Sequence, residues 1–352
     1  MDVIKNEPVI FTQGKSLDEF LKKGRPRQVI DAYPRQLKEL YFIENPSFIG
    51  SDKEAVYASD HYKEYCASKN NSLRHVYFPW SGILVNCVNE EDYFRLITNR
   101  NHDLVTSDEQ STLYSKKIAI FGMSVGSNIA YTLVQSGISN EIYLADYDEL
   151  DTTNLNRLPG GVHQIGVNKT IVAARRIYEN NPYVTVNKFD KGISLEELEP
   201  LLHHKKIDLI FEEIDNISLK IEIRKLAKKY KVPVLMVTDN GDGVVLHIER
   251  YDLSYNDFFG KTEKYWDEKM ENIQGPADIG ALILNDIIGG EQNLHDRVAD
   301  SVSKVLKREL ISWSQLGTAA ILGGVVSTIA VKKIFLWNDK RDYVHEAINL
   351  KI

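Results

Sequence analysis

The segment spanning residues 117–157 constrains the fold most, because its elements follow the order of a nucleotide-binding βαβ unit. It opens with the apolar run IAIF, which is typical of a parallel strand buried on both faces. Gly122 ends this run, and Gly126 allows the next helix to begin close to the strand. The N-terminus of that helix offers unpaired N–H groups to a phosphate. The second strand ends at Asp146, where a carboxylate usually accepts hydrogen bonds from a ribose, so the sequence predicts a nucleotide site.

The turn GMSVG alone does not identify the nucleotide, because it is one residue short of the usual dinucleotide spacing and has Ser124 where glycine is usual. NAD and ATP are equally compatible with it. The turn also fits the Gly-x-Ser-x-Gly elbow of the α/β-hydrolases, in which Ser124 would be the nucleophile. We disfavour that hypothesis because no His-Gly-Gly loop precedes the turn. The other triad members would be an arbitrary choice among Asp239, Asp242, His247 and His295.

Three further motifs place polar residues after successive strands: DYDELDTTNLNR, the lysine of GVNKTIVAARRI, and DLIFEEIDN. In these motifs the chain resembles the ThiF/MoeB-type adenylyltransferases, the superfamily that includes the enzymes activating ubiquitin and sulfur-carrier proteins. The resemblance covers about residues 95–250 and resumes in LGTAAILGGVVSTIAVKKIFL near the C-terminus. It implies an α/β fold class, with a Rossmann-like nucleotide-binding domain built on a mostly parallel sheet.

The resemblance implies that a carboxylate attacks the α-phosphorus of ATP while pyrophosphate leaves, with ATP and Mg²⁺ as cofactors. Arg157 and Lys169 would neutralise the triphosphate, since negative charge must be balanced along its whole length. Asp215 would hold Mg²⁺, a cation bound by one or two carboxylates plus phosphate oxygens. Asp146 would take the ribose, and Asn154 would donate to a phosphate oxygen. The predicted nucleotide-binding residues are Gly122, Ser124, Gly126, Asp146, Asn154, Arg157 and Lys169.

By the same resemblance, a catalytic arginine reaches the site from the partner subunit of a homodimer. Arg100, in RLITNRNHDL, is the best match, whereas Ile97 stands where a second arginine is often found. This departure and the altered turn leave open the alternative that the protein is a degenerate family member, which binds nucleotide without turnover. The other alternative is an NAD- or FAD-linked oxidoreductase that uses the same turn, although it leaves Arg157 and Lys169 without a role.

Ordinary structural roles compete with the assignments of Lys169 and Asp215. Lys169 begins a basic helical stretch, for which a solvated face is the usual explanation. Asp215, followed by Asn216, is also suited to N-cap a helix over residues 219–230. Capping and metal binding do not exclude each other.

The chain has 352 residues, a net charge of −7 and a pI near 5.8. No basic stretch is long enough to neutralise many phosphates, which argues against general nucleic-acid binding.

The cysteines of the chain, Cys66 and Cys87, precede the nucleotide motif. They provide neither the closely spaced pairs of a zinc site nor a thiol where relatives form a thioester. We therefore expect the acyl-adenylate to pass directly to a nucleophile or to a second protein.

The N-terminus shows no basic region followed by an apolar core, so we expect a cytoplasmic protein without a signal peptide. The apolar stretch from Leu316 to Val331 is too short to cross a membrane comfortably and contains glycines. We interpret it as a buried helix and expect no membrane association.

We divide the chain at residue 90. Residues 1–90 would form a small α+β N-terminal lobe suited to substrate or partner recognition, and residues 91–352 the adenylation domain, with a crossover flap over 251–310 and a C-terminal helix over 316–337. The expected substrate is the C-terminal carboxylate of a peptide or of a small ubiquitin-like or sulfur-carrier protein. The bacterial branch that the chain resembles is often joined to a nitroreductase-like domain, so a separate flavoprotein partner is a further expectation.

Overall fold

The computed structural model describes residues 6–24, 26–290, 293–337 and 339–349, and it divides into two compact units. The first unit comprises the chain up to Gln110 together with Tyr178–Tyr183, and the second comprises Ser111–Ile177 and the chain from Val184 onward. The first unit therefore extends past residue 90, where the sequence analysis divided the chain. The assignment of recognition to residues 1–90 and of adenylation to residues 91–352 stays a prediction.

The first unit is a small α+β lobe, as the sequence predicts. Its elements are the strands β1 (Val9–Phe11), β2 (Gln28–Asp31), β3 (Leu73–Phe78) and β4 (Ile83–Val88), and the helices α1 (Lys15–Lys23), α2 (Tyr33–Glu44), α3 (Lys53–Ala58), α4 (Asp60–Ser68) and α5 (Glu90–Thr98). The strand order is β1-β3-β4-β2, and only the β2–β4 pair among these is parallel. Tyr41 is fully buried, and its ring lies 5.1 Å from that of Tyr62 and 5.2 Å from that of Tyr65, between centroids. Aromatic side chains therefore fill much of this core.

The second unit is built on a mostly parallel sheet. Its strands are β5 (Lys117–Phe121), β6 (Glu141–Ala145), β7 (Thr185–Phe189), β8 (Leu209–Glu212), β9 (Val234–Asn240), β10 (Gly243–Glu249) and β11 (Tyr343–Ile348). The order is β11-β10-β9-β8-β5-β6-β7, in which β5 to β9 pair in parallel and the last two strands along the chain add antiparallel. This topology confirms the predicted α/β class.

This part of the chain also contains helices, and some of them pack on the sheet. They are α6 (Ser107–Tyr114), which begins before the second unit, α7 (Val125–Gln135), α8 (Lys169–Asn180), α9 (Leu195–His203), α10 (Ile217–Tyr230), α11 (Glu263–Glu271), α12 (Pro276–Leu282), α13 (Asp296–Leu306) and α14 (Gly317–Phe335), with a π-helical segment at Ile283–Ile287. In the predicted crossover flap, Trp266 is fully buried and its Nε1 donates to the Phe258 carbonyl at 2.7 Å. At least this part of the crossover is packed into the core.

Strand β5 determines where a ligand can bind. Its residues from Ile118 to Phe121 are fully buried, as expected of a strand covered on both faces. It pairs with β6 on one side and β8 on the other, so the chain leaves the carboxyl ends of β5 and β8 toward opposite parts of the sheet. In open α/β sheets, ligands bind in the crevice at such a switch point.

Helix α14 is long and apolar enough to cross a membrane by composition, but it packs against α7 and the sheet. A Cβ added at Gly323 would lie 2.8 Å from the Val125 Cγ1, and one at Gly324 would lie 2.8 Å from the Asn128 carbonyl oxygen. Only glycine permits so close an approach. The structure thus contains the packed C-terminal helix that the sequence predicts.

The turn after β5 also requires glycine. Gly122 has a φ of +90°, and an added Cβ would lie 2.4 Å from the Glu213 carbonyl oxygen. A Cβ at Gly126 would lie 2.8 Å from the Ile120 Cγ2. Both glycines therefore bring the start of α7 close to the end of β5, as predicted.

We predict that Gly122→Ala destabilises the second unit by at least about 1 to 3 kcal/mol, because alanine is strained at this φ and would collide with a backbone oxygen. Urea unfolding followed by circular dichroism measures the change. Gly280→Ala is the matched control, since Gly280 lies in α12 with no heavy atom within 4 Å of its added Cβ. The control should be neutral or slightly stabilising. A Gly122→Ala variant as stable as the wild type would contradict this account of the turn.

Candidate nucleotide-binding site

The glycine turn is fastened to the end of β6. The Gly122 N–H donates to the Ala145 carbonyl at 2.8 Å, and the Met123 N–H donates to Oδ2 of Asp146 at 2.6 Å. The Ser127 hydroxyl, in the first turn of α7, donates back to the Met123 carbonyl. These bonds hold the N-terminus of α7 over the carboxyl ends of the two strands, where its free N–H groups favour an anion.

Asp146 has a structural role that needs no nucleotide. Its second oxygen, Oδ1, accepts the Asp148 N–H at 2.8 Å, so one carboxylate orients both the turn and the loop after β6. Burial raises the pKa of Asp146, although the hydrogen bonds from the Met123 and Asp148 N–H groups act in the opposite direction. The predicted contact with a ribose stays a prediction.

Arg157 lies against the glycine turn. Its Nε donates to the Ser124 hydroxyl and its Nη1 to the Thr153 carbonyl, both at 3.2 Å. Burial lowers the pKa of Arg157, while the negative charges of Asp239 and Asp215 raise it. The structure therefore brings together three of the predicted residues: the serine of the turn, the arginine and the candidate metal ligand.

Lys169 begins α8 and forms an ion pair with Asp148, with Nζ 2.7 Å from Oδ2. The lysine side chain is 11% exposed and the aspartate side chain 50% exposed. The alternative of a solvated helix face therefore does not hold for Lys169. The neighbouring Asn168 links the ends of β6 and β7, because its Nδ2 donates to the carbonyls of Asp146 and Asp190 at 3.1 and 3.0 Å.

Asn154 ends a short 3₁₀ turn, Thr152–Asn154, and caps it. Its Oδ1 accepts the Asp151 N–H at 3.0 Å, while the Asn154 N–H donates to the Asp151 carbonyl at 3.0 Å. The side-chain oxygen thus has a local role. The predicted donation to a phosphate would fall to Nδ2 and stays a prediction.

Asp215 is exposed and follows β8, but it is not the cap of the next helix. That role belongs to Asn216, whose Oδ1 accepts the Leu219 N–H at 2.9 Å at the start of α10. Asp215 is therefore not used by the cap. Among the described residues, no group of three or more His, Cys, Asp or Glu side chains could hold a metal. One exposed carboxylate nevertheless fits Mg²⁺, which takes its other ligands from phosphates and water.

A buried ion cluster anchors the strand that leads to Asp215. Glu212, fully buried at the end of β8, accepts from Lys220 at 2.9 Å and from Arg224 at 2.7 Å. Arg224 also reaches Glu249 of β10 at 2.6 Å. Burial alone would raise the pKa of Glu212, but the charges of Lys220 and Arg224 lower it below its usual value. This cluster was not predicted from the sequence.

Arg100 belongs to the first unit. It is exposed in the 3₁₀ turn Asn99–Asn101 and, with Ile97, lines a groove of about 800 Å³ in that unit. Its predicted action on a partner subunit stays a prediction.

Asp239 lies near the carboxyl end of β9. The sequence named it only as one possible member of a hydrolase triad. Both of its side-chain oxygens are buried without a hydrogen-bond partner among the described residues. Burial raises its pKa to about 6, and Arg157 acts in the opposite direction. The sequence does contain a signal for this position. The segment VLMVTD forms most of β9, which lies parallel to β8, and places a carboxylate near the end of the sheet where ligands bind.

A family model described as the ThiF family matches residues 98–349, which is more than half of the chain. The chain belongs to the ThiF family. This membership confirms the resemblance stated from the sequence motifs. The match covers the second unit as far as residue 349, and residues 98–110 and 178–183 of the first unit.

Three curated relatives show how far the likeness to individual proteins extends. An uncharacterized protein of Mycobacterium tuberculosis (strain CDC 1551 / Oshkosh) is 34% identical over 265 residues, which are 75% of this chain and 36% of that protein. The tRNA threonylcarbamoyladenosine dehydratase of Haemophilus influenzae is 34% identical over 140 residues, 39% of this chain and 53% of that enzyme. Ubiquitin-like modifier-activating enzyme 5 of Bombyx mori is 29% identical over 146 residues, 39% of this chain and 36% of that enzyme.

The chain thus spans between 36% and 53% of the length of these curated relatives. Several solved structures match 64% to 73% of the chain at 16% to 20% identity, with TM-scores of 0.41 to 0.49. We base the site on the geometry of this chain and on the ThiF family match.

The geometry does not support the hydrolase hypothesis. Ser124 contacts Arg157, and neither the Asp239 oxygens nor the His247 ring nitrogens have a hydrogen-bond partner among the described residues. Asp242 bonds to Thr318 instead of a histidine. A triad needs hydrogen bonds from acid to histidine and from histidine to serine.

We predict that Asp146→Ala lowers the free energy of unfolding by about 1 to 3 kcal/mol without any nucleotide, because two backbone N–H groups lose their acceptor. Asp148→Ala should cost at most about 1 kcal/mol, since it removes a half-exposed ion pair. Urea unfolding of both variants at neutral pH measures the difference. Equal losses would show that Asp146 does not fasten the turn.

Proposed function

We propose that the protein is an ATP- and Mg²⁺-dependent adenylyltransferase that activates a carboxylate. The observation that carries this proposal is the placement of Arg157 against the turn before α7. A guanidinium and the N–H groups of a helix N-terminus both attract phosphate, and here they lie together. Membership in the ThiF family supports the same activity. An oxidoreductase would give Arg157 and Lys169 no role in the reaction.

In this reaction an oxygen of the substrate carboxylate bonds to the α-phosphorus of ATP, while the bond from that phosphorus to pyrophosphate breaks. Arg157 and Lys169 would balance the charge on the phosphate oxygens. Lys169 must exchange Asp148 for a phosphate oxygen. The half-exposed side chain of Asp148 can then turn to solvent.

Asp215 would hold Mg²⁺, which neutralises phosphate charge when it is bound. Asp146 would accept from the ribose, because each carboxylate oxygen has room for a second hydrogen bond beside the one from the backbone. Asn154 would donate through Nδ2. These roles follow the spacing of the ThiF motifs in this chain.

The substrate we propose is the C-terminal carboxylate of a peptide or of a small carrier protein. The similarity to a ubiquitin-like modifier-activating enzyme supports this class. A thioester on this chain is disfavoured, since Cys87 is buried with its pKa raised by burial and both cysteines lie in the first unit. The acyl-adenylate would pass directly to its acceptor. A cytoplasmic location and a separate flavoprotein partner belong to the same proposal.

We predict that Arg157→Ala slows adenylation by roughly 10³-fold to 10⁵-fold, because its charge is needed most as pyrophosphate departs. The assay offers ATP, Mg²⁺ and a panel of peptides and carrier proteins with free C-termini, traps acyl-adenylates with hydroxylamine and counts released pyrophosphate. Arg176→Ala is the control, since Arg176 is exposed on α8 and stacks on Tyr131. A loss below about tenfold for Arg157→Ala would contradict its role.

A homodimer is part of the proposal, and the outer face of α14 supports it. Ile321, Val325 and Ile329 repeat at a spacing of four residues and are 59%, 41% and 40% exposed. Side chains at this spacing form one stripe along a helix. An exposed apolar stripe is typical of a surface that another protein covers.

We predict that Ile321→Glu converts a dimer to a monomer, because a charge in the centre of an apolar interface is costly to bury. Light scattering at micromolar concentration measures the mass. Leu104→Glu is the control, since Leu104 is 83% exposed in the first unit. If both variants keep the wild-type mass, α14 is not the interface.

A further inference from the structure

Glu212, the last residue of β8, has a fully buried carboxylate that bonds to both a loop and a helix. Its Oε1 accepts the N–H of Ile214, the residue directly before Asp215, at 2.9 Å. The same carboxylate accepts from Lys220 and Arg224, which lie on one face of α10 because they are four residues apart. The strand, the helix and the loop between them therefore meet at one side chain.

The loop that carries Asp215 is also fastened by its other neighbours. Before it, the Glu213 N–H donates to the Phe121 carbonyl of β5 at 2.7 Å. After it, the Asn216 side chain caps α10. The Asp215 side chain itself is exposed. A short loop with a fixed backbone thus presents its carboxylate to solvent.

Stability alone does not explain why charged groups are buried behind this loop. Taking ions out of water costs free energy, and apolar side chains of similar volume often stabilise a core as well as a buried ion pair does. A buried carboxylate with several hydrogen bonds does, however, give a defined position to the groups that donate to it. Metal sites use such groups to orient the ligands that contact the ion.

We propose that Glu212 is a positioning residue, which fixes the backbone at Ile214 and so directs the Asp215 carboxylate toward Mg²⁺. This inference rests on the proposed function, in which Asp215 holds the ion. Glu212 is buried behind the loop and acts through Asp215, without touching the metal or the nucleotide. Lys220 and Arg224 hold its carboxylate, so the loop is ordered before nucleotide binds.

Glu249 of β10 provides a comparison within the same cluster. It is fully buried, accepts from Arg224 at 2.6 Å, and accepts the Phe259 N–H at 2.7 Å with its other oxygen. Glu212 and Glu249 therefore share their burial and their arginine. They differ in the backbone that they hold, which is the loop of Asp215 for Glu212 and the start of the crossover for Glu249. A merely structural cluster would respond alike to changes in either.

Glu212→Asp tests the inference, because it keeps a negative charge beside the two cations but withdraws the carboxylate from the Ile214 N–H. Calorimetry with α,β-methylene-ATP, once with saturating Mg²⁺ and once with EDTA, gives the factor by which Mg²⁺ tightens nucleotide binding. Glu212→Asp should lower this factor about tenfold, the smallest loss that is usual when a group that orients a metal ligand is changed. Glu249→Asp, the matched control, should leave the factor almost unchanged.

The same measurement in an Asp215→Ala background shows whether Glu212 acts through Asp215. There Glu212→Asp should cause no further loss, since the carboxylate that it directs is gone. Equal losses for Glu212→Asp and Glu249→Asp, or a loss that persists without Asp215, would overturn the inference. If Asp215→Ala lowers the factor and Glu212→Asp does not, the inference alone fails. If Asp215→Ala leaves the factor unchanged, the proposed role of Asp215 fails, and the inference falls with it.

Hydrogen exchange of the wild-type protein adds a test that needs no stable variant. An amide that bonds to a buried carboxylate exchanges slowly. The Ile214 amide should therefore exchange about as slowly as the amides of β8, although the neighbouring Asp215 is exposed. Mass spectrometry with fragmentation to single residues measures these rates. Exchange of Ile214 at the rate of an open loop would contradict the fixed backbone that the inference requires.

Discussion

The hydrogen bond from the Met123 N–H to the Asp146 carboxylate joins the ends of β5 and β6, and the rest of the candidate site depends on it. It keeps the turn in the conformation that gives Gly122 a positive φ and brings α7 close to the sheet. The other oxygen of the carboxylate orients the loop that carries the ion-pair partner of Lys169. One side chain therefore organises the turn and the cation together.

The cationic side chains near the carboxyl ends of the strands have two kinds of partner. Arg157 and Lys169 have partners that can be exchanged: a serine hydroxyl 3.2 Å away and a half-exposed aspartate. Arg224 is fully buried between Glu212 and Glu249 and cannot exchange them without exposing charge to a dry interior. The cations that we propose to bind phosphate therefore have partners that solvent can replace, whereas Arg224 is held by two buried carboxylates.

Sequence reasoning succeeded where short-range patterns decide the outcome. The apolar run before Gly122 predicted a buried parallel strand, and the small residues of the C-terminal stretch predicted a closely packed helix. Motif order identified the family because several polar residues had to follow successive strands. The same motifs did not reveal that Asn154 caps a turn or that Asn216, not Asp215, caps α10.

The features of the candidate site that could not be predicted from the sequence depend on residues far apart in the chain. Glu212 forms ion pairs with Lys220 and Arg224 of α10, and Arg224 also pairs with Glu249 of β10. An acidic residue near a strand end, such as Asp239, has many ordinary roles. Only the structure shows that its carboxylate oxygens are buried without a hydrogen-bond partner among the described residues. The first unit extends to Gln110 and includes Tyr178–Tyr183 for a similar reason, because packing between distant segments sets its extent.

Thermal unfolding with ATP, NAD or FAD, each with and without Mg²⁺, tests the central claim most directly when the wild type is compared with Asp215→Ala. A ligand at a hundred times its Kd should add about 2.7 kcal/mol to the stability of the folded state. The account predicts stabilisation by ATP that requires both Mg²⁺ and Asp215. Stabilisation by NAD or FAD alone, with no effect of ATP, would contradict it.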